Sequence, residues 1–338
     1  MTPEEEKEHQ KLLEDLIKRT HNELIDALMK AYRLETPDVA SAVELYYDAQ
    51  GLRIQHANKK RTEAPRTLNI WMDKWLGLGE LFFHSKLKEW VTSDRAPAEA
   101  RWALSQIGIG PVIASGLAAH IDIVKAQTPS AVWKFSGLAP GFDRKVKKQK
   151  LPYNARLKVL AWKLGESFVK VSGKEDAVYG KLYAEFKAEE IARNKAGKYA
   201  EAAARELATK KISDKDTRAK LESGMLTDGH LHARAKRRAV KVFLCHYWIK
   251  GRLARGLPIR DPWIKTYGGH QDMILPADGS ETTATSERAK ISEKPEPTER
   301  ANTQKTSEET KRASDTEKTK TSKRATRKEP PDRHERAA

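Results

Sequence analysis

The chain has 338 residues, with 64 Lys and Arg against 47 Asp and Glu and a formal net charge of +17, so an acidic polymer is the first partner to consider. From Asp278 to Ala338 fifteen basic residues meet thirteen acidic ones, which leaves +15 of that charge on residues 1–277. No run of about 18 apolar residues occurs and the first residues are acidic, which argues against a membrane span or a secretory signal and leads to the expectation of a cytoplasmic protein with no membrane partner. Cys245 is the only cysteine, so neither an internal disulfide framework nor a Cys-rich zinc module is available.

Leu13, Ile17, Thr20, Leu24, Leu28 and Ala31 recur every three or four residues, the pattern of a helix with one apolar stripe. Thr36-Pro37 is expected to end it and to cap the next. A second periodic stretch (Val39, Val43, Tyr46, Ile54) runs from Asp38 to Pro65, and a third carries Leu68, Trp71, Trp75, Leu78, Phe82 and Trp90. These predict three long antiparallel helices over residues 1–97.

From Pro97 a short helix with Trp102, Leu104 and Ile107 enters Gly108-Ile109-Gly110, and Pro111 opens the next through Ile113, Leu117 and Ile121. Residues 98–123 therefore predict a tight αα-hairpin, the first part of a second region spanning 98–275. A basic linker from Arg144 to Lys150 precedes a helix opened by Pro152, with Leu157, Leu160, Leu164, Phe168 and Val171 on its buried face. Further helices are expected at about 175–192, 198–222 and 229–251. No segment alternates as a strand, so the class is all-α, a multi-helix bundle with a short irregular piece at 137–150. Residues 276–338 contain no aromatic and scarcely an aliphatic side chain, and are expected to be a disordered low-complexity tail.

In Gln106-Ile107-Gly108-Ile109-Gly110-Pro111-Val112 two glycines bracket one apolar residue just before a helix. Glycines let the backbone turn tightly and leave N–H groups uncovered, while the following helix aims its positive end at the same place. The backbone around Gly108, Ile109, Gly110 and Val112 is thus a candidate contact for a phosphate oxygen, resembling a helix-hairpin-helix motif. Such a contact reads backbone rather than bases. The side chains of Ile107 and Ile109 are expected in the core. Arg144, Lys145, Lys147, Lys148, Lys150, Arg156 and Lys163 form a first basic cluster, with Arg156 and Lys163 expected to face outward. A second, including Arg234, Arg237 and Arg238, has no acidic residue from His230 to Arg260. A charge run alone is as readily a solvated face, but two beside a phosphate-binding hairpin point to nucleic acid.

His230, His232, Cys245 and His246 invite a metal reading. On one helix, however, His232 and His246 lie about 21 Å apart at about 1.5 Å per residue, too far to share an ion. Asp228 is expected to cap that helix and His246 to be packed or hydrogen-bonded. Asp26, Glu44, Asp48 and Glu166 are acids without a β-scaffold to make them converge, so no catalytic residue, metal ligand or cofactor is assigned.

Ile107-Gly108-Ile109-Gly110-Pro111-Val112 followed by Ser136-Gly137-Leu138-Ala139-Pro140 and the basic loop resembles the C-terminal domain of the transposases of insertion sequences 110, 116 and 902, related to the Piv-type DNA invertases. The resemblance is specific over about residues 98–172. With Tyr46-Tyr47-Asp48-Ala49-Gln50, Tyr153-Asn154-Ala155-Arg156 and His230-Leu231-His232-Ala233-Arg234, most of the body is similar to phage and mobile-element proteins that carry the transposase label. The family implies DNA binding, transposition and recombination. It also implies an N-terminal RuvC-like domain with an acidic tetrad, and a serine nucleophile in the loop after the Gly-Leu-x-Pro step. Residues 1–97 read as helices, and the loop Gly141-Phe142-Asp143-Arg144-Lys145-Val146-Lys147-Lys148 holds no serine. Ser136 precedes the step, where packing is its expected role.

The expectation is a DNA-binding protein of a mobile element or phage, similar to the DNA-binding half of a transposase, contacting double-stranded DNA through phosphates. Two rivals stand beside it. One is an active transposase or recombinase that borrows a catalytic domain from a separate nuclease or recombinase; the other is a helical scaffold for RNA or an acidic protein.

Overall fold

The computed structural model describes residues 3–62, 67–142, 149–261, 274 and 276, which belong to a compact unit ending at Pro276. The expected tail after Pro276 lies outside the described residues. Among those described there are eleven α-helices and no strand: α1 (Pro3–Ala31), α2 (Val39–Thr62), α3 (Thr67–Thr92), α4 (Ala98–Ser105), α5 (Pro111–His120), α6 (Pro129–Phe135), α7 (Ala155–Lys170), α8 (Val178–Lys195), α9 (Ala200–Thr209), α10 (Lys215–Glu222) and α11 (Asp228–Leu253). The fold is the all-α bundle that the periodicity predicts.

Several boundaries move, each for a local reason. Thr36-Pro37 does not cap α2 directly: it opens a 3-10 turn, Thr36–Asp38, and the Thr36 hydroxyl accepts from the Trp90 indole at 3.3 Å. The helix after the basic linker starts at Ala155 rather than Pro152, because the Asn154 side chain accepts from the N–H groups of Arg156 and Leu157, both at 3.0 Å. The expected helix 198–222 is two, since Asp214 caps a fresh start by accepting from the Thr217 N–H at 2.8 Å. Residues 129–135, which showed no pattern of their own, form α6 with Thr128 as its cap. Thr227, not Asp228, is the N-cap residue of α11; Asp228 sits in the first turn, where its charge suits the helix dipole.

The centre of the body is α11. From Ala239 through Ile249 nearly every side chain is buried, as a helix apolar on all sides requires. It packs against α4, α6, α7 and α8. Phe243 is the hub of an aromatic cluster, with ring centroids at 5.0 Å from Tyr179, 5.6 Å from Trp102 and 5.7 Å from Phe168. One core joins this centre to the N-terminal helices: Leu34, Val43, Leu87 and Trp90 belong to the same buried cluster as Leu117, Leu160 and Trp248. A smaller core of Ala203, Leu221, Leu226 and Leu231 holds α9 and α10. Helix α1 lies along α3, tied by Lys86 Nζ donating to the Met29 carbonyl at 2.5 Å and by a Lys74–Glu14 ion pair at 2.9 Å.

What matters for the site is α5. It is short and apolar and is packed among α2, α3, α4 and α7. Gly116 permits this: a Cβ there would stand 2.8 Å from Leu160 of α7 and 3.3 Å from Val43 of α2. Contacts of Gly108 with Val171 and of Gly116 with Leu160 show α5 running antiparallel to α7 with its N-terminus at the C-terminal end of α7.

Candidate nucleic-acid interface

The hairpin turns where the glycine pair stands, but the two glycines do different work. Gly108 has φ +95, a left-handed conformation that favours glycine, and the Ile109 N–H closes the turn on the Gln106 carbonyl at 3.0 Å. Its carbonyl accepts from the Ser167 hydroxyl, and a Cβ would press on Val171 at 3.1 Å. Gly110 instead has φ −91 and ψ 170, extended backbone open to any residue, and nothing lies within 4 Å of where its Cβ would be. Gly108 is thus required by the turn, whereas Gly110 leaves the surface bare.

That bare surface is the start of α5. Gly110 is the N-cap residue and supplies no side-chain acceptor, Pro111 has no N–H, and the first intrahelical bond runs from the Ala114 N–H to the Gly110 carbonyl at 3.1 Å. The N–H groups of Val112 and Ile113 therefore have no acceptor within the helix. Ile109 and Val112 have buried side chains and can offer a ligand only their backbone. Ile107, expected in the core, is 37% exposed. Ile113 enters the candidate site through its N–H; the sequence pattern marks it only as an apolar residue.

Helix α7 supplies cations to this end of the hairpin. Lys163, Ser167 and Lys170 share one face at helical spacing, and Ser167 is the residue that holds Gly108. Lys163 does not simply face outward as expected: its ammonium sits 4.0 Å over the Tyr47 ring. Burial, and then repulsion from Lys170, lowers its pKa below the ordinary lysine value. Arg156, at the far end of α7, is exposed and pairs with Glu44. Lys150 is exposed, while Arg144, Lys145, Lys147 and Lys148 lie outside the described residues.

The second basic cluster is largely compensated, which corrects its reading as an uncompensated one. Glu190 of α8, 1% exposed, accepts from Arg234 Nε at 2.7 Å and Arg238 at 3.3 Å, and Arg238 also reaches Glu189 at 2.8 Å. Burial alone would raise the Glu190 pKa, but the Tyr199 and Arg234 hydrogen bonds and the Arg234 and Arg238 charges hold it below the ordinary carboxylate value. Lys236 pairs with Glu166, Arg255 with Glu99 through two contacts at 2.9 and 3.0 Å, and buried Arg252 donates to the carbonyls of Pro258 and Ile123. Arg237 remains exposed. The acids come from helices distant in sequence, so no count along α11 reveals them.

His230 lies against Thr227 and Glu206, while His246 and His232 take tyrosine partners. Tyr179 and His246 Nδ1 are 2.8 Å apart, with His246 Nε2 on the Ile274 carbonyl at 2.7 Å, and Tyr183 and His232 Nδ1 are 2.6 Å apart. Buried Ser136 donates to the Trp133 carbonyl at 3.1 Å, the packing role expected of it. Of the acids considered, Glu44 and Glu166 sit in the ion pairs above, while Asp26 and Asp48 are exposed. Among the described residues no group of three His, Cys, Asp or Glu is placed to hold a metal ion, and no helix is long and apolar enough to cross a membrane. No protein-family model, curated protein or solved structure matches the chain.

Proposed function

We propose that the protein is a double-stranded DNA-binding protein of a mobile element or phage that works in the cytoplasm, resembling the DNA-binding half of a transposase. The observation that carries this reading is the start of α5, where the N–H groups of Val112 and Ile113 have no acceptor within the helix beside exposed Gly110, with Lys163 and Lys170 of α7 on the flank. A phosphate oxygen satisfies such N–H groups, gains from the helix dipole and is neutralised by the lysines. This contact holds the duplex without reading its sequence.

Lys150 and Arg237 are exposed and extend the cationic surface available to a polyanion. Arg234 and Arg238 act chiefly in folding, because their guanidiniums are engaged by Glu190. The test is fluorescence anisotropy of random-sequence duplexes at several salt concentrations. Binding should fall steeply with salt, be indifferent to sequence and be lost in Gly110→Asp; salt-independent binding, or none, sinks the reading.

A further inference from the structure

The N-terminal helices leave an apolar face uncovered. On α1, Leu12 and Leu16 are 68% and 59% exposed and Leu24 and Leu28 are 43% and 44% exposed, and their spacing in fours makes one ridge along the helix. Opposite them Trp71 and Trp75 of α3, both exposed, stack with ring centroids 5.5 Å apart. A groove of about 360 Å³ runs between the two helices, lined by the ridge on one side and by Trp71, Trp75 and Phe82 on the other. The polar residue in the ridge, Thr20, donates its hydroxyl to the Leu16 carbonyl at 2.7 Å, so it can enter an apolar contact without losing a hydrogen bond.

The four leucines and two tryptophans together expose roughly 600 Å², at the top of the range for the largest apolar patch on a monomer and most of the ~800 Å² that each partner buries in a stable dimer. Helix α1 carries eight acids against five bases in a chain of net charge +17, which disfavours an anionic lipid surface or a nucleic acid on this face. Its charge is also divided along its length. Residues 3–15 hold six acids and two bases, whereas residues 16–33 hold four bases and two acids, so two copies of α1 laid antiparallel bring opposite signs together. Glu14 already pairs with Lys74 and Arg33 with Glu35, and with both set aside the halves still differ in sign. The same two-fold operation about Thr20 sets Leu16 of each copy beside Leu24 of the other and Leu12 toward Leu28. The segment 277–338 of this chain offers no matching surface, with Ile291 its one large aliphatic and no aromatic.

We infer that the chain forms a two-fold homodimer in which the α1 ridges pack antiparallel, with Thr20 at the axis and the leucines of each copy set into the groove beside Trp71 and Trp75 of the other. In such an isologous contact every pair occurs twice, so each leucine counts double. The inference does not rest on the DNA-binding reading.

Analytical ultracentrifugation of the full chain at micromolar concentration should give twice the chain's mass. Leu16→Glu and Leu24→Glu each place two charges in the apolar contact, and should raise the dissociation constant roughly a hundredfold or more. Both side chains are exposed, so the helical circular dichroism should stay as in wild type. Thr20→Cys gives a check that does not depend on those variants folding. A residue on the axis meets its own copy, so oxidation with copper phenanthroline should join two Thr20→Cys chains, whereas Glu201→Cys, exposed on α9, should stay single. The native Cys245 is buried and gives no background. Monomeric wild type overturns the inference, whether or not it co-sediments with phosphatidylcholine vesicles, which would assign the groove to lipid. A dimer that survives both glutamates and is not cross-linked through Thr20→Cys overturns it as well.

Discussion

The Ser167 hydroxyl donates to the Gly108 carbonyl, fastening the hairpin turn to the last turns of α7 across 59 residues of sequence. The next turn of α7 continues the chain of contacts: Val171 lies against Gly108, and its carbonyl would be 2.8 Å from a Cβ placed on Gly180 of α8. The end of α7 is thus closed on from two sides, by Gly108 of the hairpin against the side chains of Val171 and Ser167 and by Gly180 of α8 against the backbone of Val171 and Ser172.

Both approaches predict loss of stability. In Gly108→Ala the new methyl group is strained at φ +95 and meets Val171 at 3.1 Å, which should cost about 1–3 kcal/mol. In Gly180→Ala it meets backbone atoms of Val171 and Ser172, which cannot swing away, and the cost should be at least as large, about 3 kcal/mol. Urea unfolding of the two variants checks this. Midpoints equal to wild type would mean that these approaches are looser than described.

A third loss is expected at Glu190, whose carboxylate joins α8 to Arg234 and Arg238 of α11 and to Tyr199 beside the small core. Glu190→Gln should cost about 2 kcal/mol, the scale of hydrogen bonds to a charged group. The sign with pH follows from the lowered Glu190 pKa: its contribution is full above the unfolded carboxylate value and is lost as pH falls through the folded one. Wild type and Glu190→Gln should therefore converge in stability only as pH falls below the ordinary carboxylate range, measured by thermal unfolding across pH. A gap that stays constant with pH would assign the effect to packing.

The outline of this fold is legible in sequence because it rests on local signals. Apolar spacing marks α1, α2, α3 and α7, and Gly108-Ile109-Gly110-Pro111 marks the turn between α4 and α5. What stays hidden depends on the fold. Gly110 looks like a second turn glycine, yet its φ of −91 shows that the turn closes before it. The run from Arg234 to Arg260 looks uncompensated, although Glu99, Glu166, Glu189 and Glu190 fold back on it from three other helices. Lys163 falls on a polar position of α7, and only the tertiary approach of Tyr47 half-covers it.

Lys170 offers a direct measure of phosphate contact. It is exposed and lies one turn beyond Ser167, so Lys170→Gln should leave stability within about 0.5 kcal/mol. If it neutralises one phosphate, the slope of log affinity against log salt should fall by about one unit, for every duplex sequence alike. Lys163→Gln should do the same while also removing the contact with Tyr47. An unchanged slope in both variants would place the duplex on another face.

Substitutions at Gly110 separate the two roles a hairpin can have, because alanine and aspartate there should rank in opposite order for stability and for binding. Alanine fits the φ of −91 and has nothing within 4 Å to strike, but it caps a helix less well than glycine, so Gly110→Ala should lose about 0.5–1 kcal/mol of stability. Its small side chain leaves the Val112 and Ile113 N–H groups open, and duplex affinity should fall by less than about threefold. Aspartate is a favoured cap, and its carboxylate would accept from those same N–H groups and gain from the helix dipole, so Gly110→Asp should match or exceed wild type in thermal stability by a few tenths of a kcal/mol. The carboxylate then occupies the place of the phosphate oxygen and repels the rest of the strand, so duplex affinity should fall by roughly tenfold or more. Such a crossed result, a less stable protein that binds and a more stable one that does not, is unattainable for a turn that only joins two packed helices. Wild-type affinity in Gly110→Asp would leave α5 a packing element and move the contact to the exposed cations of α7.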